Sequence, residues 1–283
     1  MTQVNIDNLE PWLGRSETKE DILTPGLVEK FRATLGPHLW DGSPEAPPGL
    51  HWCLALNATE NAGLSEDGHA ARGGFLPPVP LPSRMWAGGE TTTFAPLQVG
   101  KPVTRISRIE NITAKQGRSG GLVFVEIRHE YHSADSLCIC ERQDIVFRGL
   151  RSSTPQENTT RQAAPQPDTE SLCNRIIPEP LLLFRYSALT FNAHRIHYDQ
   201  PYAVGSENYP GLVVHGPLQA TLLFNLAAIK AKRVPKTFSY RGLAPMTLPC
   251  ELQLHCQQTD TDGTVWCQDQ TGLRSFSADY SDM

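Results

Sequence analysis

The segment from Pro217 to Lys232 constrains the fold more than any other part of the chain. Leu218, Leu222, Leu223, Leu226 and Ile229 recur at helical spacing and form a continuous apolar stripe. Lys230 and Lys232 stand at its C-terminal end, where the helix dipole favours cations. The rest of the chain reads as scaffold around this helix, and most of that scaffold reads as strand. Residues 102–113 alternate, with Val103, Ile106, Ile109 and Ile112 as the apolar members. Residues 122–131 and 137–147 are rich in β-branched and aromatic side chains, and short turns at 116–121 and 133–136 join the three runs. Such a series predicts an antiparallel meander. Further extended stretches follow the helix at 237–243, 250–258 and 263–270.

The order of elements suggests two halves. Residues 1–20 form a polar lead-in. Thr24 and Pro25 then open a helix to Leu35, with Leu27, Val28, Phe31 and Leu35 on one face and Gly36-Pro37 as the stop. Residues 57–90 are loop-rich, and a loop of that length in a compact domain is usually functional or mobile. Strand texture begins at Glu90. Residues 151–170 have no aliphatic core formers and read as a linker. After it the order repeats: an apolar helical segment, a loop, the long helix, then strands. Pro48-Gly49-Leu50 in the first half resembles Pro210-Gly211-Leu212 in the second, at the same place in that order. The expected organisation is a domain over 1–150, a linker over 151–173 and a second domain over 174–283. A chain of 283 residues is long enough to bury a core for both.

Chemistry concentrates between residues 183 and 223. His194, His197, Tyr198 and Asp199 follow the apolar segment Leu181–Phe191, and Val213-Val214-His215-Gly216 opens the long helix. A helix N-terminus offers unpaired N–H groups and a favourable dipole to a developing negative charge. Gly216, without a Cβ, would let a carbonyl approach it closely, and a nearby imidazole can move a proton near neutral pH. Asp199 reads as the cap of the next turn and His215 as a cap or a packed side chain. Tyr186 and Ser187 can pack or line the site. His194 and His197 lack a clear third ligand, so no metal is expected.

Composition excludes several classes. The net charge is −5 and no Lys/Arg run forms a basic stripe, so no nucleic-acid partner is expected. No apolar run is long enough for a membrane span. The polar first ten residues lack a secretory pattern. The seven cysteines are odd in number and scattered, which argues against a disulfide framework and for a reducing, cytoplasmic setting.

The run FNAHRIHYDQPYA resembles the signature of the MaoC-like hot-dog hydratases, Gly-Asp-x-Asn-Pro-x-His-x-Asp followed by Ala. Phe191 takes the Gly place, Asn192 the Asp place, His194 the Asn place and Arg195 the Pro place. His197 falls on the catalytic His, Asp199 on the second Asp and Ala203 on the Ala. VVHGPLQATLL resembles the start of that family's central helix, with Gly216 at the thioester-binding position. The wording FRYSALTFNAHRIHYD, together with GRSETKEDILTPGLV, PLPSRMWAGGE and RIENITAKQGRSGGLVFVEIRHEY, resembles a narrower branch. That branch holds the hydroxyacyl-thioester dehydratases type 2 and the mesaconyl-C4-CoA and itaconyl-CoA hydratases.

The resemblance implies an α+β tandem hot dog, with two antiparallel curled sheets each wrapping a central helix. The second half would carry the site and the first would be its degenerate partner. It implies a hydro-lyase for a short branched enoyl-CoA, with itaconyl-CoA or mesaconyl-C4-CoA going to citramalyl-CoA. His197, Asn192 and Gly216 would be catalytic, and Arg195, Arg84, Tyr186, His194, Val214 and His215 would contact substrate. Arg195, ahead of Arg84, would read a distal carboxylate. Coenzyme A would be part of the substrate and no further cofactor is expected; a homo-oligomer of double hot-dog subunits is an open possibility. The alternatives are a fatty 3-hydroxyacyl-thioester dehydratase, a hot-dog thioesterase, and an acyl-CoA-binding protein without turnover. Asn192 motivates the last of these, because it cannot take a proton where the family's Asp can.

Overall fold

A computed structural model describes residues 7–42, 46–117, 120–134, 136–149, 171–259 and 262–282. In the first half β1 (Ser16–Ile22) leads to α1 (Pro25–Leu35), then to β2 (Ser83–Thr93), β3 (Pro102–Gly117), β4 (Gly120–Ser133) and β5 (Ser136–Arg148). In the second half β6 (Leu172–Ile176) leads to α2 (Pro180–Leu189), α3 (Gln200–Gly205) and α4 (Gly216–Ala231). β7 (Thr237–Gly242), β8 (Leu252–Gln258), β9 (Gly263–Gln268) and β10 (Arg274–Ser281) follow. Helix α1 begins as its sequence predicts: Thr24 accepts the Leu27 N–H on its side chain, Pro25 occupies the first position, and Gly36 ends the helix at φ 50°.

Among the described residues the strands form one sheet in the order β1-β3-β4-β5-β2-β7-β10-β9-β8-β6, antiparallel at every pairing. Numbered within each half, the two orders mirror one another about the β2·β7 seam, with β1 answering β6 and β5 answering β10. The duplicated order read from the sequence is therefore a duplicated topology. The expected fold class needs correction: the sheet is a single open one with β1 and β6 as edges, not two curled sheets each wrapping a helix. Two causes act. The edge strand of each half, β2 and β7, satisfies its free backbone groups on the other. Also, among its described residues the first half has no long helix. Between α1 and β2 it carries Pro47, Pro48, Pro77, Pro78, Pro80 and Pro82, and only short 3-10 turns such as Leu50–Cys53 form there. The linker expected at 151–173 lies, over 151–170, outside the described residues. From Leu172 onward it is already strand β6.

Helix α4 is buried along Leu218–Ala228 without a break, well beyond the stripe visible in the sequence. Such a helix is wrapped by its surroundings, here by β8, β9 and β10 beneath and by Leu39, Leu50 and Trp52 above. Its polar side chains each find a partner. Gln219 accepts from the Ser275 hydroxyl at 2.6 Å, and Thr221 meets the Tyr186 hydroxyl at 3.0 Å. Asn225 donates to the Pro48 carbonyl at 2.8 Å and accepts the Trp40 N–H at 3.0 Å. In the first half the matching sheet face is covered only in part, by Leu9, Trp12, Phe75, Leu76, Val79 and Leu81 on Ile109, Val123, Val125 and Phe147. No helix among the described residues is long and apolar enough to cross a membrane.

Asn225→Ala leaves the Trp40 N–H and the Pro48 carbonyl buried and unmet, so it should cost about 2–4 kcal/mol. Urea denaturation checks this; a loss under about 0.5 kcal/mol, the scale of an ordinary surface change, would show that the contact does not hold α4 to its cover.

Candidate active site

A cavity of about 1090 Å³ opens where the first half lacks its helix. Its walls come from β2 (Arg84, Trp86), β4 (Ile127, His129) and β5 (Gln143, Ile145), and from the segments around His69, His194, His197 and Gly216. Among the described residues it joins the two halves.

Gly216 is the first residue of α4. Pro217 has no N–H and the Gln219 N–H bonds back to the His215 carbonyl at 3.2 Å. The N–H groups of Gly216 and Leu218 are thus the donors left at the helix start. A Cβ on Gly216 would stand 3.3 Å from the Trp86 ring, so any side chain there presses on the cavity wall.

His197 sits in the 3-10 turn Arg195–His197, 7% exposed. Its Nδ1 lies 2.7 Å from the Val213 carbonyl oxygen. A carbonyl only accepts, so Nδ1 carries the proton and Nε2 keeps a lone pair. The Val213 N–H returns to the Ile196 carbonyl at 2.9 Å, which fastens this turn to the strand-like residues before α4. His215 stacks on His197 with ring centroids 3.6 Å apart, and its Nε2 meets the Ser187 hydroxyl at 2.8 Å. His215 precedes α4 but makes no side-chain cap. His194 stands edge-on to His197 at 5.4 Å. Burial drives all three rings toward the neutral form: His197 is pulled down to about 4, and His194 and His215 lower still.

A fourth imidazole comes from the first half. His69, on the loop between α1 and β2, lies over His194 at 4.0 Å between centroids. Its Nδ1 is 2.8 Å from Asp67 Oδ2. The bond to His69 holds the Asp67 carboxyl well below the usual carboxylate range despite burial. The loop is pressed against the second half: the Arg195 N–H donates to the Asp67 carbonyl at 2.9 Å. Gly68, at φ 88°, leaves no room for a Cβ, which would fall 1.8 Å from the Ala193 carbonyl oxygen. Asp67, His69 and His194 bring donor atoms within 4.8 Å of one another, a group that leaves out His197, the other member of the pair considered in the sequence. The Asp67–His69 hydrogen bond and the tilted rings use these groups on each other, so the cluster reads as a bonded pair beside a histidine.

The remaining residues divide clearly. Asn192 lines the cavity, but its Oδ1 accepts the His194 N–H at 3.0 Å and so is committed to the turn. Phe191, in the family's glycine place, holds a left-handed φ of 48°. Tyr186 and Val214 are buried wall residues. Asp199 caps α3 through the Tyr202 N–H at 3.1 Å. Arg195 does not line the cavity; it binds Asp199 at 2.8 Å, reaches the Glu66 carbonyl and lies 4.1 Å over the Tyr202 ring. Arg84 does line it, half-buried, with no hydrogen bond or ion pair among the described residues. Burial lowers its pKa to about 10, so it stays charged. Sequence reasoning missed Asp67 and His69; the length of the 57–90 loop was their one signal.

Below the wall, Glu141 is fully buried. It accepts from the Tyr240 hydroxyl at 2.5 Å and the Trp52 indole N–H at 2.9 Å, and burial pushes it up to about 7.

The hydroxyacyl-thioester dehydratase type 2 family model matches residues 49–248. A mesaconyl-C(4)-CoA hydratase of Chloroflexus aurantiacus is 46% identical over 239 residues, covering 83% of this chain and 84% of that protein. A mitochondrial hydroxyacyl-thioester dehydratase type 2 of Schizosaccharomyces pombe is 27% identical, over 87% of this chain and 91% of its own. HtdX of Mycobacterium tuberculosis superposes with a TM-score of 0.69 at 17% identity, covering 94% of this chain and 99% of its own. The cytoplasmic placement expected from the cysteines is corrected here. Two dehydratase relatives carry mitochondrial names, so that placement does not stand.

The buried histidines give a pH dependence of stability. His197 falls to about 4, and His51 and His129 to about 3, all by burial first. Below about 6.5 the unfolded chain takes up protons that these folded rings refuse. Stability is therefore lost as pH falls from about 6.5 toward 4, by up to about 1.4 kcal/mol per pH unit for each ring. Glu141 acts oppositely, losing stability as pH rises from 4.5 to about 7, but it is one group against several. The urea midpoint should drop steadily from pH 7 to pH 5; a flat or rising profile would contradict neutral rings.

Proposed function

The chain belongs to the hydroxyacyl-thioester dehydratase type 2 family of the MaoC-like hot-dog superfamily, and from that premise we propose that it reversibly hydrates an enoyl-CoA carrying a free carboxylate. Mesaconyl-C4-CoA, going to citramalyl-CoA, is the favoured substrate. In that molecule the carbon attacked by water bears both a methyl group and the carboxylate. The carboxylate must then lie beside the group that activates water. Arg84 supports this reading: it is a charged guanidinium on the cavity wall with no partner among the described residues. A carboxylate would answer it by a paired hydrogen bond. Arg195 is already answered by Asp199.

The reaction follows from the residues. The thioester oxygen would lie at the N–H groups of Gly216 and Leu218, where it gains enolate charge. His197 Nε2, bare and neutral, would take a proton from water as the oxygen adds. His215 backs the ring, and Tyr186, Val214 and His194 bound the acyl group. Asn192 holds the turn that carries His194. In this reading the half that ends with β5 and the half that begins with β6 act as two domains, the first shaping the cavity and the second carrying the base.

A panel of enoyl-CoAs with and without a carboxylate at the β-carbon tests this by loss of the conjugated absorbance. Mesaconyl-C4-CoA should be hydrated in preference to crotonyl-CoA, without release of free CoA thiol. Arg84→Gln should lower kcat/KM on the carboxylated substrate by roughly 30-fold to 1,000-fold, about 2–4 kcal/mol for a charge left unpaired. It should change crotonyl-CoA turnover by less than about threefold. His197→Ala should lower turnover on both by about 10²–10⁴. Equal losses on both substrates in the Arg84 variant would remove carboxylate recognition from this side chain.

A further inference from the structure

His197 by itself leaves the reaction one proton short of a division of labour. Hydration takes a proton from water and delivers one to the α-carbon. The family's Asp, which could share these tasks, is Asn192 here, with its oxygen bound to the backbone. His69, hydrogen-bonded to Asp67, lines the same cavity from the opposite half.

We infer that the Asp67–His69 pair is the general acid of this site: His69 Nε2–H delivers the proton to the α-carbon, and Asp67 positions and charges the ring. Three observations carry this, and it rests on the hydratase reading above. First, both His197 and His69 hold their Nδ1–H on an acceptor and turn Nε2 free, but the acceptors differ. His197 faces a neutral carbonyl at 2.7 Å, and His69 faces a carboxylate at 2.8 Å. A carboxylate stabilises an imidazolium where a carbonyl does so far less. Burial lowers both rings, and the carboxylate beside His69 is what separates an acid from a base here. Second, His69 lines the cavity and its loop is fixed there. The Gly68 backbone is wedged on Ala193, and Asp67 takes the Arg195 N–H on its carbonyl. Third, His194 is in ring contact with both His69 and His197, and its own ring makes no hydrogen bond among the described residues.

The step balances as follows. His197 Nε2 takes a proton from water as the oxygen bonds to the β-carbon and the π electrons move to the thioester oxygen. The enolate collapses and the α-carbon takes the proton from His69 Nε2. One proton then remains on His197 and one is missing from His69. His194, able to accept at one nitrogen and donate at the other, returns it. No oxidant, metal or second substrate enters.

The charges around His69 set the pH behaviour. Burial lowers its pKa first, Asp67 raises it, and Arg84 and Arg72 lower it; His194 and His197 face it from the second half as neutral rings. A substrate carboxylate on Arg84 cancels one of the opposing charges, so the acid gains its proton as substrate binds.

The test is the pH profile of kcat for the intact chain on whichever enoyl-CoA it hydrates, with Asp67→Asn and His69→Gln. The wild type should give a bell, its acidic limb from His197 and its alkaline limb from His69. Asp67→Asn keeps an acceptor for Nδ1–H but removes the charge. Its alkaline limb should move about one pH unit lower, with KM within about threefold. His69→Gln should lower kcat by about 10²–10³ and lose the alkaline limb. A merely structural pair would change kcat or melting without moving that limb. An unmoved limb in Asp67→Asn, full kcat in a folded His69→Gln, or activity abolished by chelators would each overturn the acid. A wild type that hydrates no enoyl-CoA overturns the function together with the acid, whereas an active wild type with an unaffected His69→Gln overturns the acid alone.

Discussion

Helix α4 runs through the core with eleven consecutive residues buried, and the candidate site is built at its first turn. A helix in that position cannot leave its polar groups unmet. Gln219, Thr221 and Asn225 meet theirs on Ser275, Tyr186, Pro48 and Trp40. These bonds fix the rotation of the helix, and the rotation fixes where the Gly216 N–H points. Tyr186 ties α2 to the same helix, so the turn after α2, which carries His194 and His197, is registered against it as well.

The histidines then follow from enclosure. Four rings share a few ångströms of dry space, and no charge on one could tolerate a charge on the next. Stacking of His215 on His197 disfavours a charge on both rings at once. Among the described residues Asp67, whose bond to His69 outlasts burial, sets a negative charge against this group, and Arg84 and Arg72 are the positive charges near His69. The electrostatic asymmetry of the site thus comes from the first half, while the imidazoles of the second half are electrically quiet.

The sequence carried much of this. Helix α1, helix α4 and strands β3, β4, β5, β8 and β9 were legible because a single periodicity runs through each. Strand β1 was not: SETKEDI is an edge strand exposed along most of its length. Strand β2 was masked by its proline-rich approach and by Gly88 and Gly89, which the close packing of Tyr240 requires. In β10 the inward alternation of Phe276, Ala278 and Tyr280 is diluted by small polar residues. His197 and Gly216 were legible as motif positions. Arg195 drew attention by adjacency, yet adjacency also gave it Asp199 four residues on. Asp67, His69 and Arg84 are brought to the cavity by tertiary contacts alone, and no spacing in the chain encodes such a meeting.

The mirrored strand order about β2 and β7 has a further consequence. In an assembly of two identical units, any inherited change appears on both sides of the site at once. Here the two halves are written separately, and among the described residues one carries the long helix while the other borders the cavity. The room and the reactive turn can therefore drift on independent schedules. A lineage could exchange one acyl group for another by altering the first 150 codons, leaving the genetic text of the reactive turn untouched.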